Sequence, residues 1–183
     1  MNKIRMGFIG CGGNARGHVG RVLEIKDCEI VSLCDSSIES INAAKNQYDL
    51  ENLPAFTDFE EMLKEVEMDA VQISTPHTLH FEQIMACLEK GLHVLCEKPM
   101  VCSVDHAHQV LDKHRESGKV LMVSYQRHLE AQYRYVKNQI AAGELGDIQF
   151  ISALQDQAWY RGTMGLWRQQ LALSGGGQLN DSG

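Results

Sequence analysis

The sequence predicts an α/β fold: a doubly wound parallel sheet of the Rossmann type, followed by the start of an α+β domain with an open sheet. Short β-prone runs alternate with helical segments five times within about the first 123 residues. These runs lack the apolar–polar alternation of half-buried strands, which indicates a parallel sheet covered on both faces. A glycine-rich turn directly follows the first run.

Each predicted strand ends at a turn or breaker residue, and each predicted helix combines apolar residues at helical spacing with a start or stop signal. The predicted strands are 4–9, 29–34, 70–73, 92–96 and 120–123. The predicted helices are 15–25, 37–47, 59–66, 79–90 and 103–117. The start and stop signals are Ser37, Asp58 and Ser103 at the helix starts and Gly91 and Gly118 at the ends.

The pattern changes after residue 124. Residues 130–142 are predicted to be a helix, 147–156 a longer strand, and 159–173 helical or irregular. One strand cannot form a sheet by itself. We therefore divide the sequence into one domain over 1–124 and the incomplete N-terminal part of a second domain over 125–183.

Composition excludes several classes of protein. Of 183 residues, 44% are hydrophobic, and the net charge is −7, which argues against a general binder of nucleic acid or anionic membranes. No apolar run approaches the roughly 20 residues that span a bilayer, and no signal peptide is expected at the N-terminus. The six cysteines form no C-x-x-C pair and are interpreted as reduced, packed thiols of a cytoplasmic protein.

The loop at 10–15, G-C-G-G-N-A, matches the pattern G-x-G-x-x-G/A. Gly10 makes the turn out of the strand, Gly12 lets the backbone approach a pyrophosphate, and the small Ala15 lets the helix pack closely on the sheet. The helix start then offers free N–H groups to the phosphates. Gly13 and Asn14 complete the loop. This spacing predicts a dinucleotide site.

An acidic residue at the end of the second predicted strand supports this site. Asp35, with Ser36 beside it, lies 20 residues after Ala15, where a carboxylate binds the ribose hydroxyls. A carboxylate there repels a 2′-phosphate, so NAD is favoured over NADP. The alternative is a glycine turn and an Asp that only caps a helix.

Two further loops follow the third and fourth predicted strands. They carry Ser74, Thr75, Pro76 and His77, and then Glu97 and Lys98. Ligands of open α/β sheets bind beyond the carboxyl ends of the strands, so both loops face the same crevice as Gly12. Lys98 is the strongest catalytic candidate, because an ammonium there can donate to a substrate oxygen or relay its proton. The alternative is a surface lysine before a turn proline.

These segments together resemble the Gfo/Idh/MocA family of NAD(P)-dependent sugar and cyclitol oxidoreductases. The similar segments are G-F-I-G-C-G-G-N-A-R at 7–16, S-T-P-H-T-L-H at 74–80, G-L-H-V-L-C-E-K-P at 91–99, G-E-L-G-D-I at 143–148 and G-G-G-Q-L-N-D-S-G at 175–183. The resemblance implies that 1–124 is an NAD(P)-binding Rossmann domain. It also implies that 125–183 begins a substrate domain whose open sheet carries the oligomer interface.

The resemblance also implies roles for single residues. Lys98 and Asp181 are the expected catalytic residues, with a histidine four positions after Asp181, beyond residue 183. His77 takes a position often held by asparagine, and His80 either binds ligand or caps its helix. The remaining expected cofactor contacts are Gln126, Arg127, Trp167 and Arg168.

No metal site is expected. His106, His108 and His114 lack the i,i+4 pair of helical zinc motifs, and a solvated helix face explains them. Trp159 and Tyr160 either line a sugar site or pack in a core.

The leading hypothesis is hydride transfer between NAD and a secondary alcohol or carbonyl of a sugar or cyclitol. Two alternatives remain open: an NAD-dependent glycosidase of the same family, and a nucleotide-binding sensor without turnover. The expected partners are a small sugar or polyol and further copies of the same chain, bound through the sheet of the second domain. Nucleic acid and membrane are not expected partners.

Overall fold

The computed structural model describes residues 3–182. The strands are β1 (Ile4–Ile9), β2 (Cys28–Cys34), β3 (Ala55–Phe56), β4 (Ala70–Ile73), β5 (His93–Cys96) and β6 (Leu121–Val123). The helices are α1 (Gly13–Leu23), α2 (Ile38–Tyr48), α3 (Phe59–Glu65), α4 (His80–Glu89), α5 (Val104–Ser117), α6 (Ala131–Ala141), α7 (Trp159–Gly162), α8 (Leu171–Ser174) and α9 (Gln178–Ser182). Short 3-10 turns cover His77–Leu79, Gln126–Leu129 and Trp167–Gln169.

The six strands form one parallel sheet in the order β3-β2-β1-β4-β5-β6. The chain leaves β1 toward one edge and later returns to place β4 on the other side of β1. The loops after β1 and β4 therefore diverge and open a crevice at the carboxyl ends of the strands, which is where open α/β sheets bind ligands. The predicted doubly wound fold is confirmed.

The two faces of the sheet bury separate cores. On one face, Phe8 and Leu33 pack with Val19 of α1 and Ile41 of α2. On the other face, a larger core joins the sheet to α3, α4 and α5. Strands covered on both faces carry apolar side chains in both directions, which explains their continuous apolar runs.

The predicted helix boundaries have identifiable hydrogen bonds. The hydroxyls of Ser37 and Ser103 accept the N–H groups of Ser40 and His106, each at 3.1 Å. Asp58 accepts the N–H of Glu60 at 2.8 Å. These caps satisfy N–H groups that have no partner within the first helical turn.

Two features of the sequence prediction are wrong. No residue of 147–156 lies in a strand, because no other segment of residues 3–182 pairs with it. Its side chains Phe150, Ile151 and Leu154 are 84%, 74% and 95% exposed. The strand β3 was not predicted: it has two residues, which pair with the end of β2 and are too few to produce a sequence pattern.

Two sequence expectations concern the whole chain. Among residues 3–182 no helix combines the length and the apolar character that a bilayer span requires. The six cysteines are free thiols, four of them buried. Burial raises the pKa of Cys11 to about 12, so this thiol, in the phosphate loop itself, is protonated at neutral pH.

Candidate active site

Three adjoining cavities lie at the carboxyl edge of the sheet. The phosphate-loop cavity, of about 450 Å³, contains Gly12, Ser74 and Lys98 in its wall. The acidic cavity, of about 600 Å³, shares Gly12 and Ser74 with it. The inner cavity, of about 360 Å³, shares Lys98 and Gln126 with the first. An elongated ligand can therefore extend from the acidic cavity to the inner one.

The glycines of the loop after β1 have different structural roles. Gly10 has a φ of +98°, and a Cβ there would lie 2.6 Å from the carbonyl oxygen of Ser74, so the backbone itself requires glycine. A Cβ on Gly12 or Gly13 would meet nothing within 4 Å, and Gly12 has an ordinary φ of −64°. The fold does not require these two glycines, and their missing side chains leave room for a ligand.

The start of α1 is open to an anion. No side chain caps this helix, so no protein side chain occupies its first N–H groups. These groups and the helix dipole favour phosphate oxygens. Ala15, in the first turn of this helix, is fully buried and is not part of the wall of any of the three cavities.

Asp35 is held at the end of β2 by two backbone hydrogen bonds. One carboxylate oxygen accepts the N–H of Cys11 at 2.7 Å, and the other accepts the N–H of Ser37 at 2.9 Å. Each oxygen keeps a free lone pair for a ribose hydroxyl. Asp58 and Glu82 also line the acidic cavity, and no Lys or Arg among residues 3–182 lines it. The charged side chains that a 2′-phosphate would meet there are therefore all negative.

The loop after β4 is fixed on several sides. The N–H of Ser74 donates to the carbonyl of Ile9 at 2.8 Å, and the hydroxyl of Thr75 donates to Gln83 at 2.5 Å. His77 is buried, with Nδ1 3.1 Å from the carbonyl of Ser174. Burial lowers the pKa of His77 to about 4, and this outweighs the nearby charge of Asp181, so the ring is neutral at pH 7.

Glu97 joins helix α1 to the turn that carries Lys98. Glu97 is 8% exposed, one of its carboxylate oxygens lies 2.8 Å from Nε2 of His18, and the other accepts the backbone N–H of Lys98 at 3.2 Å. Burial raises the pKa of Glu97, but the hydrogen bonds from His18 and Asn14 outweigh it and the pKa is lowered. The phosphate loop and the Lys98 turn are thus connected by an ionised, buried group.

The two predicted catalytic residues are in direct contact. The Nζ of Lys98 lies 3.0 Å from a carboxylate oxygen of Asp181, across 83 residues of sequence. Trp159 donates its indole N–H to the other oxygen at 2.7 Å, and Nε of Arg168 is 3.5 Å from it. Burial alone would raise the pKa of Asp181, but these donors and cations lower it. Asp181 is therefore a carboxylate, and it orients the Lys98 ammonium.

Most of the predicted cofactor residues lie around two of the cavities. The phosphate-loop cavity is lined by Gly12, Gly13, Asn14, Ser74, Thr75, His77, Glu97, Lys98, Gln126, Trp167 and Arg168. The acidic cavity adds Gly10, Asp35, Ser36 and Pro76. Arg127 lies instead in the inner cavity with Lys98 and Asp181.

The prediction that His80 contacts a cofactor or caps its helix is wrong. The ring is fully buried, and its two nitrogens lie 2.8 Å from the carbonyl of Pro99 and 3.0 Å from that of Thr75. No ring atom remains for a ligand. The ring of His80 instead lies between the backbone of the loop after β4, at Thr75, and that of the loop after β5, at Pro99.

Sequence reasoning missed several side chains of the site. His18 follows Asn14 by four residues, so the two share a helix face, and this spacing was a usable signal. Trp159 was considered only as a sugar platform or core residue, whereas its N–H bonds Asp181. Gln155 and Gln157 of the inner cavity lie outside any pattern that sequence alone provides, whereas Asn180, also in its wall, directly precedes Asp181 in the segment 175–183. Within residues 3–182 no three His, Cys, Asp or Glu side chains are placed to hold a metal ion.

Comparison with known proteins agrees with this geometry. The sequence model of the Gfo/Idh/MocA family, described as an oxidoreductase family with an NAD-binding Rossmann fold, matches residues 4–125. D-glucoside 3-dehydrogenase of Escherichia coli (strain K12) is 30% identical over 181 residues, which cover 98% of this chain and 51% of that protein.

Two solved structures share the fold. The WlbA dehydrogenase from Bordetella pertussis, in complex with NADH and UDP-GlcNAcA, is 30% identical with a TM-score of 0.74, over 79% of this chain and 44% of that one. The scyllo-inositol dehydrogenase from Lactobacillus casei with bound NAD(H) and scyllo-inositol is 25% identical with a TM-score of 0.74, over 80% and 43%.

The chain spans about half the length of the curated relatives that it matches along nearly all of its own length. The family match covers the whole parallel sheet, including the phosphate loop, Asp35 and the turn with Lys98. The chain therefore belongs to the Gfo/Idh/MocA oxidoreductase family, whose Rossmann fold is NAD-binding.

Proposed function

We propose that the complete protein transfers a hydride between NAD and a secondary alcohol or carbonyl of a sugar or cyclitol. The single observation that carries this proposal is the Lys98–Asp181 pair, located where the phosphate-loop cavity meets the inner cavity. Relatives with this fold are named as dehydrogenases of a glucoside and of an inositol. When NAD is bound, its nicotinamide accepts or supplies the hydride.

In this proposal the chain's residues bind and orient. The free N–H groups at the start of α1 hold the pyrophosphate, Asp35 holds the adenosine ribose, and the negative lining of the acidic cavity favours NAD over NADP. Lys98, with its side chain 25% exposed, donates a hydrogen bond to the reacting oxygen. Asp181, 3.0 Å from Nζ of Lys98, orients the ammonium toward the inner cavity, which both residues line.

The inner cavity has the chemistry of a polyol site. Gln155, Gln157 and Asn180 contribute amide groups that both donate and accept, as hydroxyls do. Arg127 donates to Gln155 at 2.8 Å and so orients that amide. We further propose that 1–124 is the cofactor domain and 125–183 the first part of the substrate domain.

Location and assembly are part of the same proposal. The free thiols of the six cysteines support a cytoplasmic protein. The exposed apolar side chains of 147–156 support association with other copies through the second domain.

Replacement of Lys98 by methionine tests the assignment in the complete protein. Turnover should fall by about 100-fold or more, because the donor to the reacting oxygen is lost, while NADH affinity should stay nearly unchanged. Lys90→Met, an exposed lysine at the end of α4, is the matched control and should retain full activity. Substrate-dependent NADH formation is the measurement. Full turnover by Lys98→Met would exclude the assignment, and release of an aglycone without net NADH would favour the glycosidase alternative.

A further inference from the structure

Gln72 is a polar residue in the middle of the sheet. It lies on β4, paired with Phe8 of β1 and Leu95 of β5, and it is fully buried. Its carbonyl oxygen Oε1 has no hydrogen-bond partner, a property that it shares, among the buried side-chain N and O atoms of residues 3–182, only with the hydroxyl of Ser32. An unpartnered buried amide oxygen destabilises a fold, so its presence in a central strand needs a reason.

The orientation of this amide follows from its neighbours. Nε2 of Gln72 lies 3.2 Å from the carbonyl oxygen of Ile73 and 2.6 Å from the hydroxyl oxygen of Ser74. A carbonyl oxygen only accepts, so the atom beside it must be the amide nitrogen. The two N–H groups of that nitrogen then donate to Ile73 and to Ser74, and Oε1 is left without a donor.

The amide in turn fixes the Ser74 hydroxyl. Because the oxygen of Ser74 accepts from Gln72, its own proton cannot point back toward the amide. Ser74 lines both the phosphate-loop cavity and the acidic cavity, next to Gly12. The proton is therefore free to point toward the cavities that Ser74 lines.

We propose that Gln72 is a positioning residue which, through its hydrogen bond to Ser74, directs the Ser74 hydroxyl proton toward an acceptor oxygen of the bound dinucleotide. This inference rests on the proposed cofactor site. It explains why a destabilising amide is retained: the amide orients a donor before the ligand arrives, so binding does not have to order that donor.

Gln72→Met tests this role, because methionine has a similar length and carries neither amide group. The carbonyl of Ile73 still accepts the N–H of Glu97 at 2.9 Å, and Ser74 is partly accessible to water, so the variant loses no obligatory partner. Its unfolding midpoint in urea should equal or exceed that of the wild type. Its dissociation constant for NADH, measured by fluorescence titration, should rise about three- to tenfold.

Three companion variants make the result specific. Ser74→Ala should weaken NADH binding as much as Gln72→Met, and the double variant should bind no more weakly than either single variant. Ser32→Ala removes the other unpartnered buried polar group, a hydroxyl, and should leave NADH affinity unchanged. Gln72→Leu repeats the test with a different apolar side chain, should Gln72→Met fold poorly.

Each outcome decides the proposal. Wild-type affinity in a folded Gln72→Met or Gln72→Leu variant would overturn it, as would additive losses in the double variant. A wild-type chain that binds no NADH would overturn both this proposal and the cofactor site. Normal wild-type binding together with an unaffected Gln72 variant overturns only the role of Gln72.

Discussion

The buried imidazole of His77 couples the stability of the site to pH. Its pKa in the folded protein is about 4, below the ordinary value of 6.5, chiefly because burial disfavours the charged ring. The unfolded chain therefore binds the proton more readily than the folded chain. The contribution of His77 to the stability of the folded protein is therefore complete above about pH 6.5 and is lost as the pH falls toward 4.

Replacement of His77 by asparagine should remove this pH dependence. The free energy of unfolding of the wild type should fall by up to about 3 kcal/mol between pH 6.5 and 4 through this group, and His77→Asn should lose most of that slope. His108→Asn, which removes an exposed imidazole of α5, should keep the wild-type slope. Urea denaturation at a series of pH values measures how the free energy of unfolding of each variant depends on pH. Identical slopes in the wild type and His77→Asn would show that the ring is not held neutral.

Single residues differed in how well sequence predicted them. Gly12, Asp35 and Lys98 lie at the ends of strands, so local spacing was enough to place them at one edge of the sheet. The contact of Lys98 with Asp181 joins residues 83 apart, and spacing gives no information about it; only the resemblance to a family suggested it. His80 was misjudged because sequence does not distinguish a ligand contact from a buried ring whose two nitrogens lie beside backbone carbonyls.

At the scale of elements, the turn from β1 into α1 depends on Gly10. Its φ of +98° and the 2.6 Å approach of the Ser74 carbonyl to a Cβ combine backbone strain with a collision. Gly118, at the end of α5, has a φ of +62° but open space around its Cβ. Substitution of Gly118 therefore tests backbone strain alone, whereas substitution of Gly10 tests strain together with a steric clash.

Alanine at each position measures the difference. Gly10→Ala should lower the free energy of unfolding by at least about 2 kcal/mol, since strain and overlap with backbone add. Gly118→Ala should cost about 1 kcal/mol, from strain alone. Chemical denaturation compares them. Equal losses would mean that the loops after β1 and β4 are not as closely packed as described.

Elements were predictable where their stability is local or where both faces of a strand are buried. The caps of α2 and α5 and the continuous apolar runs of the long strands are of this kind. The strand expected at 147–156 is absent because strand formation depends on a partner strand, which no other segment of residues 3–182 supplies. The two-residue β3 exists only through pairing with β2 and leaves no mark on the sequence.

At the scale of the whole molecule, an apolar surface is left uncovered. Phe150, Ile151 and Leu154 are each at least 74% exposed. Exposed apolar side chains of this size promote association. We expect the isolated chain to self-associate in sedimentation velocity experiments, and the triple replacement of these residues by serine to shift it toward monomer. A monodisperse wild-type monomer at micromolar concentration would contradict this expectation.

The loop after β1 is expected to bind NAD, and a side chain added at Gly12 is expected to block that binding without destabilising the fold. Gly12→Val is the direct test, because a Cβ at Gly12 meets no atom of residues 3–182 within 4 Å, while the added side chain fills the space left for the cofactor. Gly17→Ala, in the same helix with ordinary contacts, is the control. Calorimetric titration with NADH should show one site per chain in the wild type and in Gly17→Ala, and no binding in Gly12→Val with unchanged stability. Wild-type affinity in Gly12→Val, or no binding by the wild type, would contradict the account.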